Sequence, residues 1–410
     1  MRDIKENMGK SQCFPQSQRW ADAALQWGEG GGRMGGMKTN RKSARARLLY
    51  AQGADVPDIR YATGFTAPDP FLALVRGGKK DLLVSPLEAG RAGAACPEAG
   101  IWTREMLEKE GGKGDAAAWL KRLGVRSVEV SEGFPVGVAR RLEKEGIRVG
   151  IGKGAAFPER EVKGEDELAC IAEAQRAAVR AFRVAAGAMR RSDLGKGGRL
   201  VLEGRALTSE RLKELIEGEL RRQGCESADG LIVAVGEQAA RPHDEGGGVV
   251  REGQPVVMDI FPQNRRTGYW GDFTRTVAKG RIPDWLRRMH AAVEGAQRLA
   301  LGMLRPGVKG SDVQRAVEKF FLEQGYETKL EPPGEECGFI HSLGHGVGLE
   351  IHEEPRLSRK GGALRAGNVV TVEPGLYVPG LGGVRIEDTV VVTEDGCRLF
   401  ADCGRGLGGK

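Results

Sequence analysis

Residues 341–355 read His341-Ser342-Leu343-Gly344-His345-Gly346-Val347-Gly348-Leu349-Glu350-Ile351-His352-Glu353-Glu354-Pro355. Three of the five histidines in the chain lie in this one stretch. Its glycines argue against a helix, since each lowers helix stability by about 1 kcal/mol relative to alanine. We therefore predict an extended segment in which His341 and His345 share a face. The absent glycine side chains would let a ligand or another backbone approach closely, which is typical of a site wall.

The histidines admit two interpretations. A single buried histidine is usually a hydrogen-bonded core residue, whereas three close together favour a site. Neutral imidazole is the commonest metal ligand near neutral pH, and a metal site with few histidines needs acidic ligands as well. A fourth histidine, His243, is predicted on a turn just after the apolar strand 231–235.

Two strand-like segments upstream each carry an acid. The segment Pro255-Val-Val-Met-Asp259-Ile-Phe261 is otherwise apolar, and Asp272 follows thirteen positions later in Gly271-Asp-Phe-Thr-Arg-Thr-Val277. A buried carboxylate without a partner costs several kcal/mol, so each acid needs one. A polar turn at 263–268 would pair the two strands and bring the carboxylates together. The alternative is that one acid lies in a turn and the other pairs with Arg275.

Two segments downstream repeat this pattern. Glu373 lies in 368–375 and Glu387 in 383–392, each among β-branched residues that predict a strand. Alternation along the second strand puts Arg385 and Glu387 on one face. The cation can therefore orient Glu387 and lower its pKa.

The candidate site thus combines four carboxylates with one imidazole, from Asp259, Asp272, His345, Glu373 and Glu387. Four anions in one place would repel one another strongly unless cations lay among them. Oxygen-rich ligation with one nitrogen suits two divalent ions, Mn²⁺ foremost, with Co²⁺ and Zn²⁺ as alternatives. Carboxylates that bridge two ions hold them about 3.5–4 Å apart, where a shared water is acidified to hydroxide. The predicted chemistry is hydrolysis.

These motifs and their order along the chain resemble those of the M24 metallopeptidases, the family of Xaa-Pro aminopeptidase and prolidase. The resemblance covers roughly 160–404, and Tyr61-Ala-Thr-Gly-Phe65 with 83–91 also resembles the family's creatinase-like N-terminal domain. It rests on these motifs: Asp259-x(12)-Asp-Phe-Thr-Arg-Thr, His341-Ser-Leu-Gly-His-Gly-Val-Gly-x(3)-His-Glu-x-Pro, Val372-Glu-Pro-Gly and Val384-Arg-Ile-Glu-Asp. It implies a fold of mixed α/β and α+β class, with a small N-terminal domain over 37–158 and a pita-bread catalytic domain over 159–404.

The resemblance also implies roles for single residues. The four acids and one imidazole named above become metal ligands, with Asp272 and Glu387 bridging two ions. Glu373 handles the proton and Arg385 fixes Glu387. The substrate side is lined by three histidines, which hold the scissile carbonyl and stabilise the tetrahedral intermediate: His243, His341 and His352.

The activity implied is an aminopeptidase that cleaves the bond before proline in small Xaa-Pro peptides, through a hydroxide bridging two Mn²⁺ ions. The alternatives are an Xaa-Pro dipeptidase (prolidase), a non-peptidase pita-bread hydrolase and a binding scaffold. The family resemblance further suggests a homodimer. Methionine aminopeptidases share the five ligands, but the extra N-terminal domain and the segment 385–388 favour the proline-directed branch. A zincin is excluded because no histidine lies four residues after His352.

One departure from the family pattern concerns the connection after Asp259. The sequence Asp259-Ile-Phe-Pro262 opens a connection to Asp272 that is longer than usual in the family. This puts the substrate preference in question more than the metal binding, since all five ligand positions are intact.

Composition limits the class of protein. A chain of 410 residues suggests two domains, and 40% hydrophobic with 29% charged residues is near the globular average. Most of the net charge of +7 comes from residues 1–50, which hold ten Lys/Arg against four Asp/Glu, leaving 53 against 52 in the rest. The folded part is therefore near neutral, and no nucleic-acid partner is expected.

The cysteines and apolar runs bear on the compartment. Seven scattered cysteines without a Cys-x-x-Cys pair predict neither a disulfide framework nor a zinc ribbon. The chain has no apolar run long enough for a membrane helix, and residues 1–36 lack the apolar core of a secretory signal. We therefore expect a cytoplasmic protein without a membrane partner.

The remaining predictions concern local structure. Residues 1–36 are predicted to be a disordered tail and 405–410 a flexible C-terminus. Further helices are predicted at 165–190, at 283–304, after an N-cap at Thr208 or Ser209, and at 311–324 with Ser311 as its N-cap. The N-terminal domain shows no catalytic cluster, which favours a lid or an oligomerisation module. Its predicted helices are 41–52, 119–123 and 136–145, and its predicted strands are 61–65, 71–75, 81–85, 127–130 and 148–151.

Overall fold

A mixed six-stranded sheet forms the N-terminal part of the computed structural model, which describes residues 46–51, 56–109, 111, 113–330 and 336–409. The tail predicted at 1–36 lies outside the described residues. The strand order is β4-β3-β2-β1-β5-β6. Its strands are β1 Arg47–Ala51, β2 Phe71–Arg76, β3 Lys79–Leu83, β4 Gly100–Trp102, β5 Ser127–Val130 and β6 Arg148–Ile151. Its helices are α1 Pro57–Thr63, α2 Pro86–Ala95, α3 Arg104–Lys109, α4 Ala116–Arg122 and α5 Val136–Lys144.

Both faces of this sheet are buried. Leu48 and Leu72 lie in one apolar cluster with Trp119, whereas Leu49 and Ala73 lie in another with Ile59. Neighbouring residues of a strand point to opposite faces, so apolar residues in succession are needed here. The helices on both sides of the sheet supply the other half of each cluster.

Two local predictions in this domain are wrong. Residues 47–51 were expected to be helical and form β1, because pairing with β2 and burial on both faces override the helical pattern. Residues 61–65 were expected to be a strand, but 57–63 form α1. Pro57 presets the first turn of this helix, and Gly64 ends it in a left-handed conformation with φ 65°.

The other strands and helices of this domain follow the prediction closely. Strands β5 and β6 have the predicted bounds, β2 extends one residue further, and β3 begins and ends two residues earlier than 81–85. Helices α4 and α5 overlap the segments predicted at 119–123 and 136–145.

The second part of the chain is built from helices that cover short sheets. The helices are α6 Glu165–Arg191, α7 Ser209–Arg222, α8 Asp284–Met303 and α9 Gly310–Glu323. Thr208 caps α7 as predicted, its hydroxyl accepting from Arg211 N at 3.2 Å. Ser311 does not cap α9, which begins at Gly310, where a Cβ would lie 2.2 Å from Arg356 O. Within the described residues, no helix combines the length and apolar character needed to cross a membrane.

Two packed halves make up this part. In one, α6 and α7 cover the sheet β11-β12-β14, and in the other α8 and α9 cover the sheet β16-β15-β17-β20-β21. The strands before the histidine stretch are β7 Asp193–Leu194, β8 Leu200–Leu202, β9 Arg205–Ala206, β10 Cys225–Glu226, β11 Ile232–Val235, β12 Val256–Ile260, β13 Gln263–Asn264 and β14 Phe273–Val277. The strands from the histidine stretch onward are β15 Gly344–Gly346, β16 Glu353–Leu357, β17 Val369–Val372, β18 Gly375–Val378, β19 Gly382–Arg385, β20 Asp388–Val392 and β21 Cys397–Leu399.

The C-terminal segment, predicted from the sequence as a flexible end, makes specific contacts. Arg405 donates to Asp388 Oδ2 and to Gln297 Oε1, both at 2.5 Å. Leu407 O accepts from Ala278 N at 2.8 Å. These bonds attach 405–407 to β20, α8 and the end of β14.

Candidate metal centre

The first two acids come together as predicted, on antiparallel strands. Strand β12 pairs with β14 in a register that sets Asp259 opposite Thr274, and Asp272 directly precedes β14. The backbone of Asp272 is fixed by Gln175 on α6, which accepts from its N–H and donates to its carbonyl, both at 2.8 Å. Arg275 pairs with Asp388 rather than with either acid, so the alternative assignment of these residues is wrong.

The other two acids lie at strand ends and not within unbroken strands. Glu373 follows β17, and Glu387 lies between β19 and β20. The chain leaves its pairing with β18 at Arg385 and pairs with β17 from Asp388 onward. Between them, Glu387 N donates to Thr274 O at 3.0 Å, so this residue connects the two halves of the site.

His345 projects from β15 between two glycines that allow close backbone contact. A Cβ at Gly344 would lie 2.0 Å from Thr371 O, and one at Gly346 2.4 Å from Glu354 O. The Nε2 atom of His345 lies 3.3 Å from Glu373 Oε1 and 3.5 Å from Asp272 Oδ2. Burial, with a smaller contribution from His352, lowers the pKa of His345 to about 3. The imidazole is therefore neutral and able to bind a metal ion.

All five predicted ligands border one cavity of about 500 Å³. Ligand atoms of Asp272, His345 and Glu387 all lie within 4.8 Å of one another. Burial and the neighbouring acid Glu387 raise the pKa of both Asp272 and Glu373 well above the usual range. Such crowding is unfavourable for a set of ionised carboxylates and is relieved by cations.

One carboxylate oxygen among the predicted ligands is available to a cation. Asp259 Oδ1 is buried and has no hydrogen-bond partner among the described residues. A buried acceptor without a partner is costly, and a cation would satisfy it. The donor set of oxygens plus one nitrogen fits two divalent ions, with Asp259, Asp272, His345, Glu373 and Glu387 as their ligands.

Among the described residues, Arg385 forms no direct hydrogen bond or ion pair with Glu387 and is linked to it only through Thr274, so the predicted fixing of this acid is indirect. Its Nη2 donates to Asp259 Oδ2 at 2.6 Å, and its Nε donates to Thr274 Oγ1 at 3.4 Å. Thr274 Oγ1 in turn donates to Glu387 Oε2 at 2.7 Å. Arg385 lowers the pKa of Glu387, as expected, but burial outweighs it and the pKa rises to about 8.

Tyr377, which the sequence analysis missed, binds two of the predicted residues. Its hydroxyl accepts from Arg385 Nη1 and faces His341 Nε2, both at 2.8 Å. The Nδ1 atom of His341 lies 2.8 Å from Ser342 O, so Nδ1 donates there and Nε2 accepts from Tyr377. Both ring nitrogens of His341 are therefore engaged within the protein. Its predicted contact with substrate would require breaking one of these bonds.

His243 and His352 border the same cavity with less constraint. Neither ring has a hydrogen-bond partner within the described part of the chain. The His352 ring packs edge-on against His345 with centroids 4.3 Å apart. Of the three histidines assigned to the substrate side, these two have ring nitrogens available to a ligand.

We expect the metal-free protein to lose stability as the pH rises from about 6.5 to about 8. Below this window the lowered pKa values of the buried His341 and His345 act in the opposite direction, because these rings stay neutral in the folded protein while they are protonated in the unfolded chain. Burial and Asp259 raise the folded-state pKa of Glu387 to about 8, from an ordinary value of 4.5. Between these values the folded state holds a proton that the unfolded chain has released, so stability falls with rising pH. One proton corresponds to about 1.4 kcal/mol per pH unit, or about 3 °C in Tm for a domain of this size.

Thermal unfolding of chelated protein at several pH values measures this slope. Saturating Mn²⁺ should flatten or reverse it, because the ions bind the deprotonated carboxylates. A chelated protein whose Tm stays constant or rises over this range would contradict the prediction.

Comparison with known proteins finds similarity to one family. The model of metallopeptidase family M24 matches residues 169–394. The Xaa-Pro dipeptidase of Pyrococcus furiosus is 37% identical over 195 residues, which are 47% of this chain and 53% of that protein. In sequence, the chain thus spans about half the length of the curated relatives it matches.

The likeness in structure extends further along the chain. The prolidase from Pyrococcus horikoshii OT3 matches with a TM-score of 0.73 and 27% identity, over 89% of this chain and 95% of that one. The X-Pro aminopeptidase from Thermotoga maritima MSB8 matches with a TM-score of 0.72 and 27% identity, over 88% of this chain and 97% of that one. The expected fold, a smaller N-terminal domain followed by a pita-bread domain, is confirmed. With the family model covering more than half of its residues, this chain belongs to metallopeptidase family M24.

Proposed function

We propose that this chain is an Xaa-Pro dipeptidase that hydrolyses the bond before proline with the help of two divalent ions. The observation that carries the proposal is the floor of the 500 Å³ cavity, where four carboxylates and a neutral imidazole converge. The aminopeptidase favoured by the sequence remains the second candidate. The relatives named Xaa-Pro dipeptidase support the dipeptidase, whereas the similarity to an X-Pro aminopeptidase structure supports the other.

The residues around the ligands have distinct tasks in this proposal. When bound, the two ions would supply Lewis acidity to a water molecule and to the scissile carbonyl. Glu373 accepts a proton and returns it to the leaving nitrogen, a role that suits a carboxylate whose pKa is raised by burial. His243 and His352 donate to the oxygen on which charge develops. Arg385 holds Asp259 in place.

Proline explains why a dedicated site is needed. The Xaa-Pro bond is a tertiary amide without an N–H, and its fixed ring angle prevents the regular extended pairing by which many proteases hold substrates. A short substrate must then be recognised by its ends. Arg356 borders the cavity, and its nearest acid is Glu354 at 3.8 Å, a loose contact. We assign this guanidinium to the free carboxylate of a dipeptide.

A matched peptide series with saturating Mn²⁺ tests the proposal. Leu-Pro should be cleaved at least about 10-fold more efficiently than Leu-Pro-NH₂ or Leu-Pro-Ala, because only the dipeptide places its carboxylate at Arg356. Leu-Ala-Ala and Met-Ala-Ala should be poorer still. In Arg356→Met the advantage of Leu-Pro over its amide should disappear.

The other outcomes separate the candidates. Equal or better cleavage of Leu-Pro-Ala would replace the dipeptidase with the aminopeptidase. A preference for Met-Ala-Ala over both proline peptides would refute the whole assignment.

A further inference from the structure

A buried cluster of charges joins the N-terminal domain to the loop that carries His352. Arg160, in the 3₁₀ turn Pro158–Glu161 before α6, is 8% exposed. Its Nη1 donates to Asp58 Oδ1 at 2.8 Å, and its Nη2 donates to Glu350 at 2.8 Å and Glu353 at 2.7 Å. Lys163 also donates to Glu353, and its side chain is 1% exposed. One guanidinium thus binds three carboxylates from two parts of the chain.

The three acids differ in how much they depend on this contact. Glu353 is 9% exposed, whereas the side chain of Asp58 is 26% exposed and that of Glu350 is 50% exposed. Charge pairs at exposed positions contribute little to stability, while a buried carboxylate needs its cations. Glu353 therefore depends most strongly on its ion pairs with Arg160 and Lys163.

Glu353 is the residue at which the histidine loop re-enters the sheet. It is the first residue of β16 and pairs with Gly346 of β15. At the other end of the loop, Trp270 holds the carbonyl of Gly348 through its N–H at 2.9 Å and that of Leu349 through Nε1 at 3.2 Å. The backbone is thus fixed on one side by Trp270 and on the other through Glu353.

The absence of a side chain at Gly348 leaves room for the Glu353 carboxylate. A Cβ at Gly348 would lie 2.4 Å from Glu353 Oε1, so only glycine at 348 admits the carboxylate in this place. His352 directly precedes Glu353 and packs against His345 in the cavity. A shift of Glu353 would therefore move His352 relative to the metal ligands.

We propose that Arg160 is a positioning residue, which places His352 through Glu353 and ties that placement to α1 of the N-terminal domain through Asp58. This rests on the function proposed above and adds a role for the N-terminal domain in it. Arg160 does not touch the substrate, and its effect is on turnover. Displacing a reacting group by about 1 Å costs about 100-fold in rate.

The test compares Arg160→Met with Arg160→Lys, Asp58→Asn and a control. Arg160→Met leaves Glu353 paired with Lys163, and the more exposed Asp58 and Glu350 can be hydrated, so the variant should fold. The control is Arg365→Met, which removes an exposed pair, Arg365 with Glu161 at 2.6 Å, next to the same turn.

With Leu-Pro and saturating Mn²⁺, Arg160→Met should lower kcat about 10- to 100-fold while KM changes less than about 3-fold. Metal content should stay at the wild-type value. Arg160→Lys should recover part of kcat, because lysine keeps the positive charge but lacks the planar guanidinium that binds several carboxylates at once. Asp58→Asn should give a smaller loss, and Arg365→Met should stay within about 2-fold of wild type.

A second readout needs neither metal nor substrate. In long-range ¹H–¹⁵N spectra of the metal-free protein, the imidazole signals of His352 should shift in Arg160→Met, while those of His290 on α8 stay in place. Unchanged His352 signals with unchanged kcat would overturn the proposal. So would a fall in kcat that follows Tm alone and equals that of the control. If the wild type cleaves no Xaa-Pro peptide, the proposed function fails, while the spectra still decide whether Arg160 places His352.

Discussion

Replacing Glu387 by glutamine is expected to abolish hydrolysis, lowering kcat/KM by about 1,000-fold or more, since metal-ion catalysis is worth several kcal/mol. Glu387 is 2% exposed and lies within 4.8 Å of both Asp272 and His345. Glutamine keeps the size and can still accept from Thr274, but it supplies no negative charge to a second ion. Elemental analysis after dialysis should show less bound metal than in the wild type.

The same variant should be more stable than the wild type when both are metal-free. At pH 8 the wild-type carboxylate must either ionise in a buried place or keep its proton, because burial and Asp259 raise its pKa to about 8. Glutamine removes this conflict, so the metal-free Tm should rise by several degrees while the gain from Mn²⁺ shrinks. Glu394→Gln, which alters an exposed acid just after β20, should change neither activity nor Tm. A Glu387→Gln protein that keeps its full metal content and activity would refute the assigned ligand set.

The proposed ligand set could be named from the sequence because its acids stand out from their surroundings. Asp259 interrupts an apolar strand, and three histidines in 341–355 break the pattern of a core segment. The residues that support the ligands carry no such signal. Thr274 and Tyr377 are of the kind that normally fills a strand, so their hydrogen bonds to Glu387 and His341 became visible only in three dimensions.

Two of the wrong predictions of local structure share a physical cause. The segment 47–51 has a helical pattern but is buried on both faces of a sheet, so long-range pairing decided its structure. Glu387 was placed inside a strand because β-branched residues surround it, yet the chain changes sheets there. The sequence makes no prediction for Arg160, because its three carboxylate partners, Asp58, Glu350 and Glu353, come from distant parts of the chain. Contacts between distant residues decided each case.

Arg275→Met is expected to destabilise the protein by about 3–5 kcal/mol, the cost of breaking a buried ion pair. The Arg275 side chain is 1% exposed and lies 2.6 Å from the carboxylate of Asp388, whose side chain is 2% exposed. It also donates to the carbonyls of Glu387 at 2.6 Å, Thr274 at 2.9 Å and Cys403 at 2.9 Å. Methionine fills similar space but leaves these buried acceptors without a donor. In a domain of this size the loss corresponds to a fall of about 10 °C in Tm.

Arg405→Met is the matched control, because it removes the other cation on the same carboxylate. The Arg405 side chain is 24% exposed and bonds Asp388 Oδ2 at 2.5 Å, so water can replace it and Arg275 still neutralises the acid. Its cost should be less than half that of Arg275→Met, at about 1–2 kcal/mol. Chemical denaturation of the metal-free proteins compares the two losses without interference from bound ions. Equal losses would show that Asp388 is held equally by both cations, whereas the larger loss expected for Arg275→Met reflects its additional bonds to the backbone next to Glu387.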